Sequence, residues 1–263
     1  MTHKPKWCLQ DPRGWTVIDT PIGLLEQKIL EQAKQSKQKP AAVFDLDGTL
    51  FDVSFRTFAI IEDWVKKASP NDFPENIFAR LAAIRLEDIG YSVEDSFKKM
   101  GFDLNNPQVN EVYKTVNKAW KKRFFDGKTF VIHDKPLPGA LSFVRELHNH
   151  NIHIVYLSGR SKRSSYEGTL LQLEKAGFPV ETTEIMLKED ESLEDHIFKA
   201  LSLAEITNRY DVIANFENEY LNLATMTHVQ SNALHTIVDA PHSNRPTPEE
   251  PITVRRITHF SKK

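Results

Sequence analysis

Apolar residues first recur at helical spacing at Ile22, Leu25, Ile29 and Ala33, behind a Thr20-Pro21 start that reads as an N-cap and first helical position. An amphipathic helix is predicted there, dissolving into the polar linker 32–40. Ala41, Ala42, Val43 and Phe44 then form a short, unbroken apolar run ending at Asp45-Leu46-Asp47-Gly48, the pattern of a buried strand leaving into a turn. From Val53 to about Lys135 the period is helical throughout. Phe58, Ile61 and Val65 mark one stripe, Ile77, Leu81 and Ile84 a second, and Val109, Val112, Val116, Trp120 and Phe124 a third opened by Asn106-Pro107. Strand and helix alternate after Pro136-Leu137-Pro138-Gly139. A helix through Leu141, Val144 and Leu147 is followed by a strand at 152–157. A helix through Leu170, Leu173 and Ala176 is closed by Gly177. Further strands are predicted at 184–187, 211–216 and 234–238. Between them lie helices at 192–206, with Ser192 and Asp195 as a capping box, and near 220–226. The last stretch, 240–263, holds four of the fourteen prolines and reads as an irregular wrap.

Alternating β and α units predict an α/β fold with a doubly wound parallel sheet and ligands at the carboxyl ends of its strands. An all-α segment is inserted after the first core strand. The expected organisation is an N-terminal extension with one helix (1–39), a core (40–52 and 136–263) and a helical insertion (53–135). With 263 residues, one large domain or a core plus insertion fits better than tandem modules. Lys and Arg number 34 against 36 Asp and Glu, so the formal charge is −2, and the chain lacks the pervasive basic field of a non-specific nucleic-acid binder. A single cysteine, Cys8, permits no internal disulfide and fits a reducing compartment. No run of about 18 apolar residues and no signal-like N-terminus occurs, so a cytoplasmic protein is expected.

Chemistry concentrates at Asp45 and Asp47. Two carboxylates at i and i+2, one at a strand tip and one in the turn leaving it, can face one small volume, and Gly48 lets the backbone come close. Asp45 suits a nucleophile toward phosphorus, and Asp47 an acid that protonates the leaving oxygen and later deprotonates water.

The whole segment Val43-Phe44-Asp45-Leu46-Asp47-Gly48-Thr49-Leu50 resembles the first motif of the haloacid dehalogenase-like (HAD) superfamily, and three further elements follow in the superfamily's order. Ile154 to Leu157 lead into Ser158-Gly159-Arg160, where the resemblance implies phosphate-binding hydroxyl and N–H groups at a helix start. Two lysines compete for the third element. Lys188 directly follows a short strand, while Lys199 lies in Asp195-His196-Ile197-Phe198-Lys199, similar to the D..FK element of acid-phosphatase-like members, and is preferred. The fourth element, Asn215-Phe216-Glu217-Asn218-Glu219, departs from the usual GDxxxD by carrying glutamates. The resemblance implies a Mg²⁺-dependent phosphatase of small phosphorylated metabolites. Catalysis is expected from Asp45, Asp47, Ser158 and Lys199, and phosphate or substrate contacts from Gly48, Thr49, Ser158, Gly159, Arg160, Lys188 and Arg56. Metal is expected at Asp45, Asp47, Glu217 and Glu219. The helical insertion falls where the superfamily places a C1-type cap, a lid that closes over the nucleophile.

Asp47 argues against a dehalogenase, because only phosphoryl transfer needs an acid for a leaving oxygen. A phosphotransferase or mutase with the same intermediate, a catalytically weak phosphate-binding protein and a nucleic-acid 3′-phosphatase are the alternatives. GxSxG, GxxxxGK[ST] and GxGxxG are absent. His148, His150 and His153 are spread over a helix end and a strand start and predict no common metal site. The tryptophans at 7, 15, 64 and 120 read as packing.

Overall fold

The computed structural model describes residues 8–10, 14–127, 129, 131–243, 245–249 and 252–262, and of residues 8–10 the backbone only. Trp7 lies outside the described residues. Two compact units result: Met1–Phe51 with Pro136–Lys162 and Leu173–Lys263, and Asp52–Lys135 with Arg163–Gln172.

The first unit is an α/β core around an eight-stranded sheet. In chain order the elements outside the helical insertion are β1 (Cys8–Gln10), β2 (Thr16–Asp19), α1 (Ile22–Gln35), β3 (Pro40–Phe44), the short β4 (Phe51–Asp52) and β5 (Lys135–Pro136) at the unit boundary, α6 (Ala140–Asn149), β6 (His153–Ser161), α7 (Lys162–Ala176), which the two units share, β7 (Glu184–Lys188), α8 (Asp195–Thr207), β8 (Asp211–Glu217), α9 (Tyr220–Val229), β9 (Leu234–Val238) and β10 (Thr253–Ile257). The sheet order is β1-β2-β10-β9-β8-β3-β6-β7, with every pair parallel except β1 and β2. From β3 the chain winds outward through β6 and β7, then returns to β8 on the other side, so strand order reverses at β3. A doubly wound sheet opens its ligand crevice at such a switch point.

β3 explains its own position. Ala41 to Phe44 are each at most 1% exposed, as a strand covered on both faces must be. Phe44 points to one face, stacking on Phe216 at 4.6 Å and packing with Leu25 and Ile29 of α1 and Phe143 of α6. Val43 points to the other, among Val155, Val212, Leu203 and Ile206.

A bulge in β8 then sets the chemistry. Pairing with β3 runs Ala41 to Val212 but Ala42 to Ala214, so Ile213 is the extra residue and Asn215 and Phe216 stand level with Val43 and Phe44. One inserted residue reverses the facing of everything beyond it. Glu217 therefore follows in step with Asp45, on Val43's face. In the unshifted register Phe216 would stand there.

The second unit comprises α2 (Ser54–Lys67), α3 (Glu75–Ala82), α4 (Val93–Lys99) and α5 (Pro107–Phe124), with short 3₁₀ turns between them. Its core is Ile61, Trp64, Ile77, Leu81, Val93, Phe97, Val109, Val112 and Val116. Asn106 caps α5 as its Asn-Pro start predicts, accepting from Gln108 N at 2.9 Å. Ser92 and Asp95 form a capping box on α4. This unit also takes in Arg163–Gln172 of α7, which no periodicity separates from the rest of that helix. Gly168 admits the loop at Gly127, whose carbonyl oxygen would lie 1.5 Å from a Cβ.

Several sequence expectations need correction. The wrap 240–263 contains β10, and residues 16–19 form β2 beside it; strands of four and five residues flanked by prolines and charges carry too little pattern to be seen. Thr20 does not cap α1, its hydroxyl donating instead to Ile18 O at 2.9 Å. Helix α8 begins at Asp195, not Ser192, because the Ser192 hydroxyl donates to Asp190 Oδ1 at 2.6 Å. β6 runs on to Ser161, so Ser158 lies within a strand and not at a helix start.

Candidate active site

Asp45 sits at the carboxyl end of β3, 5% exposed, with its N–H donating to Phe216 O at 3.0 Å. The chain then turns tightly. Leu46 O accepts from the N–H groups of Thr49, Leu50 and Phe51, and Gly48 supplies φ +83°.

From α8, Lys199 places its ammonium 2.6 Å from Asp45 Oδ1 and 2.5 Å from Glu217 Oε2. All three are nearly solvent-free, with Lys199 at 2% and Glu217 at 1% exposure. The other oxygen of Glu217 accepts from Asn222 Nδ2 at 3.0 Å and Glu219 N at 3.2 Å. Asn222 contributes a contact that the sequence reading missed; its signal was an Asn one helical turn past the fourth-element strand.

Burial raises the Asp45 carboxyl above its ordinary range, against the opposing charge and hydrogen bond of Lys199. Glu217 is pushed up to about 8 by burial first and the neighbouring Asp45 charge second. Burial alone would lower Lys199, but the charges of Asp45 and Glu217 outweigh it and hold the ammonium above its usual value. Two acids and one base share this dry site, and the raised carboxyls express the cost of a second negative charge beside the one that Lys199 balances.

Asp47 faces a different partner. A second bulge, between Ser158 and Ser161 of β6, leaves Gly159 and Arg160 outside the ladder with β7. Arg160 donates from Nε to Asp47 Oδ2 at 3.2 Å and from Nη2 to Oδ1 at 2.5 Å. Ser158 is 2% exposed and its Oγ accepts from Arg160 N at 3.4 Å. A Cβ on Gly159 would come within 2.7 Å of the Asp195 carboxylate.

The remaining sequence candidates go elsewhere. Lys188 donates to Asp195 Oδ1 at 2.7 Å and Leu193 O at 3.0 Å, so of the two lysines only Lys199 reaches Asp45. Glu219 accepts from Ser243 N at 2.8 Å and from Ser243 Oγ, and Arg245 Nη2 lies 3.5 Å away. Arg56, in the second unit, is 2% exposed and committed to Asp134 through Nε at 2.9 Å and Nη2, and to Phe124 O at 3.3 Å. Its guanidinium is taken up within the helical unit, at a position where the sequence suggests a substrate contact. A burying helix turn and an exposed one look alike in sequence.

Among the described residues no group of three or more His, Cys, Asp and Glu side chains is arranged as a metal site. Of the four carboxylates expected to hold metal, Asp47 is paired with Arg160 and Glu219 with Ser243 and Arg245, while Asp45 and Glu217 meet at Lys199. Asp45 and Glu217, whose oxygens meet at one ammonium, are the hard oxygen donors that would suit a Mg²⁺ ion keeping most of its waters.

Residues 92–244, over half of the chain, match the family described as HAD superfamily, subfamily IIIB (acid phosphatase). The chain belongs to this HAD family. The matched span includes Ser158, Lys199 and Glu217 and begins after the Asp45 loop, so the first element stands on its own geometry. Similar solved structures include a HAD-like hydrolase, SP0104, from Streptococcus pneumoniae (14% identity, 81% of this chain and 92% of that one, TM-score 0.42). A class C acid phosphatase from Bacillus anthracis with tungstate bound gives 18% identity, 75% and 59% coverage and a TM-score of 0.41. A predicted phosphatase from Clostridium acetobutylicum gives 15%, 82%, 94% and 0.47. No curated protein matches the chain. No helix among the described residues is long and apolar enough to cross a membrane.

Proposed function

We propose that this HAD hydrolase cleaves small phosphomonoesters through an aspartyl-phosphate on Asp45. The observation that carries the reading is the buried meeting of Asp45, Lys199 and Glu217, brought from β3, α8 and β8 to the switch point of the sheet. An Asp45 oxygen attacks phosphorus as the bond to the ester oxygen breaks, and Asp47 donates a proton to the departing alcohol. Water then attacks phosphorus, Asp47 takes its proton, and inorganic phosphate leaves with Asp45 regenerated.

Asp47 can donate only once Arg160 releases it, and a phosphate dianion is a strong competitor for a bidentate guanidinium. Substrate arrival thus couples Arg160 binding to freeing of the acid. Ser158 and the Gly159–Arg160 bulge supply further polar groups to the phosphate oxygens, and Lys199 holds Asp45 in one rotamer. Asp45 and Glu217 would hold Mg²⁺, which when bound supplies positive charge against the repulsion between carboxylate and phosphate dianion. The second unit is the proposed cap, whose side chains set substrate choice. The protein is read as cytoplasmic, its partner a small phosphorylated metabolite.

A panel of phosphorylated metabolites and p-nitrophenyl phosphate, assayed with Mg²⁺ and Mn²⁺ in parallel and with added acceptor alcohols, tests the reading. Release of inorganic phosphate is expected. Transfer to the alcohols in place of release would make the protein a phosphotransferase, and turnover of none would leave a binding protein.

A further inference from the structure

Between the two fourth-element glutamates lies Asn218, 3% exposed, and the mechanism gives it no part. Its amide closes on the turn that follows Asp45. A Cβ on Gly48 would stand 2.2 Å from Asn218 Nδ2, so the two positions fit each other only with glycine in the loop. Thr49, wholly buried in the turn that leaves Asp45, donates from Oγ1 to Asn218 Oδ1 at 3.4 Å. Asn218 thus helps to hold one rotamer of Thr49.

The other side of Asn218 is fixed from outside the loop. Its Nδ2 donates to Pro241 O at 2.9 Å. The next residue, Glu219, takes Ser243 N at 2.8 Å and the Ser243 hydroxyl, with Arg245 behind. The strap of Pro241 and Ser243 is thus pinned at two successive residues of the fourth element, and the chain of contacts runs from it through Asn218 and Thr49 into the turn that follows Asp45.

We propose that Asn218, held by this strap, is a positioning residue for the Asp45–Thr49 loop. The proposal rests on the aspartyl-phosphate reading above. Asn218 acts on the direction of the Asp45 attack and not on the groups that bind phosphate: Ser158, Gly159 and Arg160 are held by β6, away from it in the chain. Small misplacement of a reacting atom lowers the rate of the chemical step far more than it weakens binding.

The test uses p-nitrophenyl phosphate with Mg²⁺, the full chain, and the variants Asn218→Ala, Thr49→Val and their double. Each single change is expected to lower kcat roughly 10-fold or more, with KM within about 2-fold, on the scale at which misplacement acts. The double variant is expected to be no slower than the worse single, because both interrupt one chain. Wild-type kcat in Asn218→Ala, or losses that multiply in the double, would overturn the proposal. Urea unfolding is recorded for each variant, and Asn218→Ser replaces the alanine variant if the latter does not fold. Asp45→Asn is the reference: if it keeps turnover, the underlying mechanism fails; if it is inactive while Asn218→Ala runs at the wild-type rate, only the positioning role fails.

Discussion

His235 shows how a single buried side chain ties stability to pH. Its Nε2 lies 2.6 Å from Gln230 O and must donate, which leaves Nδ1, 3.2 Å from Asn215 Nδ2, as an acceptor. Both nitrogens are satisfied only in the neutral ring, and burial lowers its pKa from the ordinary 6.5. Between the folded value and 6.5 the unfolded chain binds the extra proton, so this contribution is whole above about pH 6.5 and is lost as pH falls toward the folded value. His153, lowered chiefly by burial against its bond to Glu184, acts in the same direction. Urea titrations from pH 7.5 to 5 should show stability falling on acidification, and less so in His235→Gln; equal pH slopes would remove His235 from the account. The two lysines give a second comparison at this scale. Lys199→Ala should cost far more activity than Lys188→Ala, because only Lys199 touches Asp45, and the reverse order of kcat values would contradict the site.

At the scale of elements, Arg56 and Lys199 are equally buried cations, and the acids that they meet set them apart. Arg56 and Asp134 pair at 2% and 0% exposure, and Gln172 Nε2 adds a bond to Asp134 at 2.7 Å. Arg56→Ala would strand the Asp134 carboxylate and is expected to cost about 3–5 kcal/mol by urea unfolding. A loss below 1 kcal/mol would mean that the helices re-form around the gap. The same contrast explains what the sequence made legible. The apolar run 41–44, the carboxylates closing it and the order of Ser158, Lys199 and Glu217 could be read because each follows a strand with a strong pattern. The bulges at Ile213 and at Gly159–Arg160 could not, since they depend on neighbouring strands, yet they aim Glu217 at Lys199 and Arg160 at Asp47. Partners of long side chains were equally hidden: its place at the strand end favours Glu217 over Glu219 as a site residue, but nothing local shows that Glu219 is drawn to Ser243 and Glu217 to Lys199. Strands β2 and β10 escaped notice because each is stabilised by the other across more than 230 residues, not by its own periodicity.

For the molecule as a whole, the helical unit and the α/β core each have their own interior, Val112 and Phe97 in one, Phe44 and Leu25 in the other. Replacing residues 53–135 by a short Gly/Ser linker should therefore leave a folded core with lower selectivity among phosphomonoesters. It should also lose stability, because Gln172 of α7 then has neither Val131 O nor Asp134 to bond. Unchanged substrate ranking after excision would deny the helical unit its role as specificity cap. The central claim is the covalent one, and trapping the phosphoryl group tests it most directly. Wild-type enzyme quenched in acid during turnover of a ³²P-labelled phosphomonoester should carry label that hydroxylamine releases and that maps to the peptide containing Asp45, with none in Asp45→Asn. Steady turnover in Asp45→Asn, or label on any other residue of the wild-type chain, would contradict it.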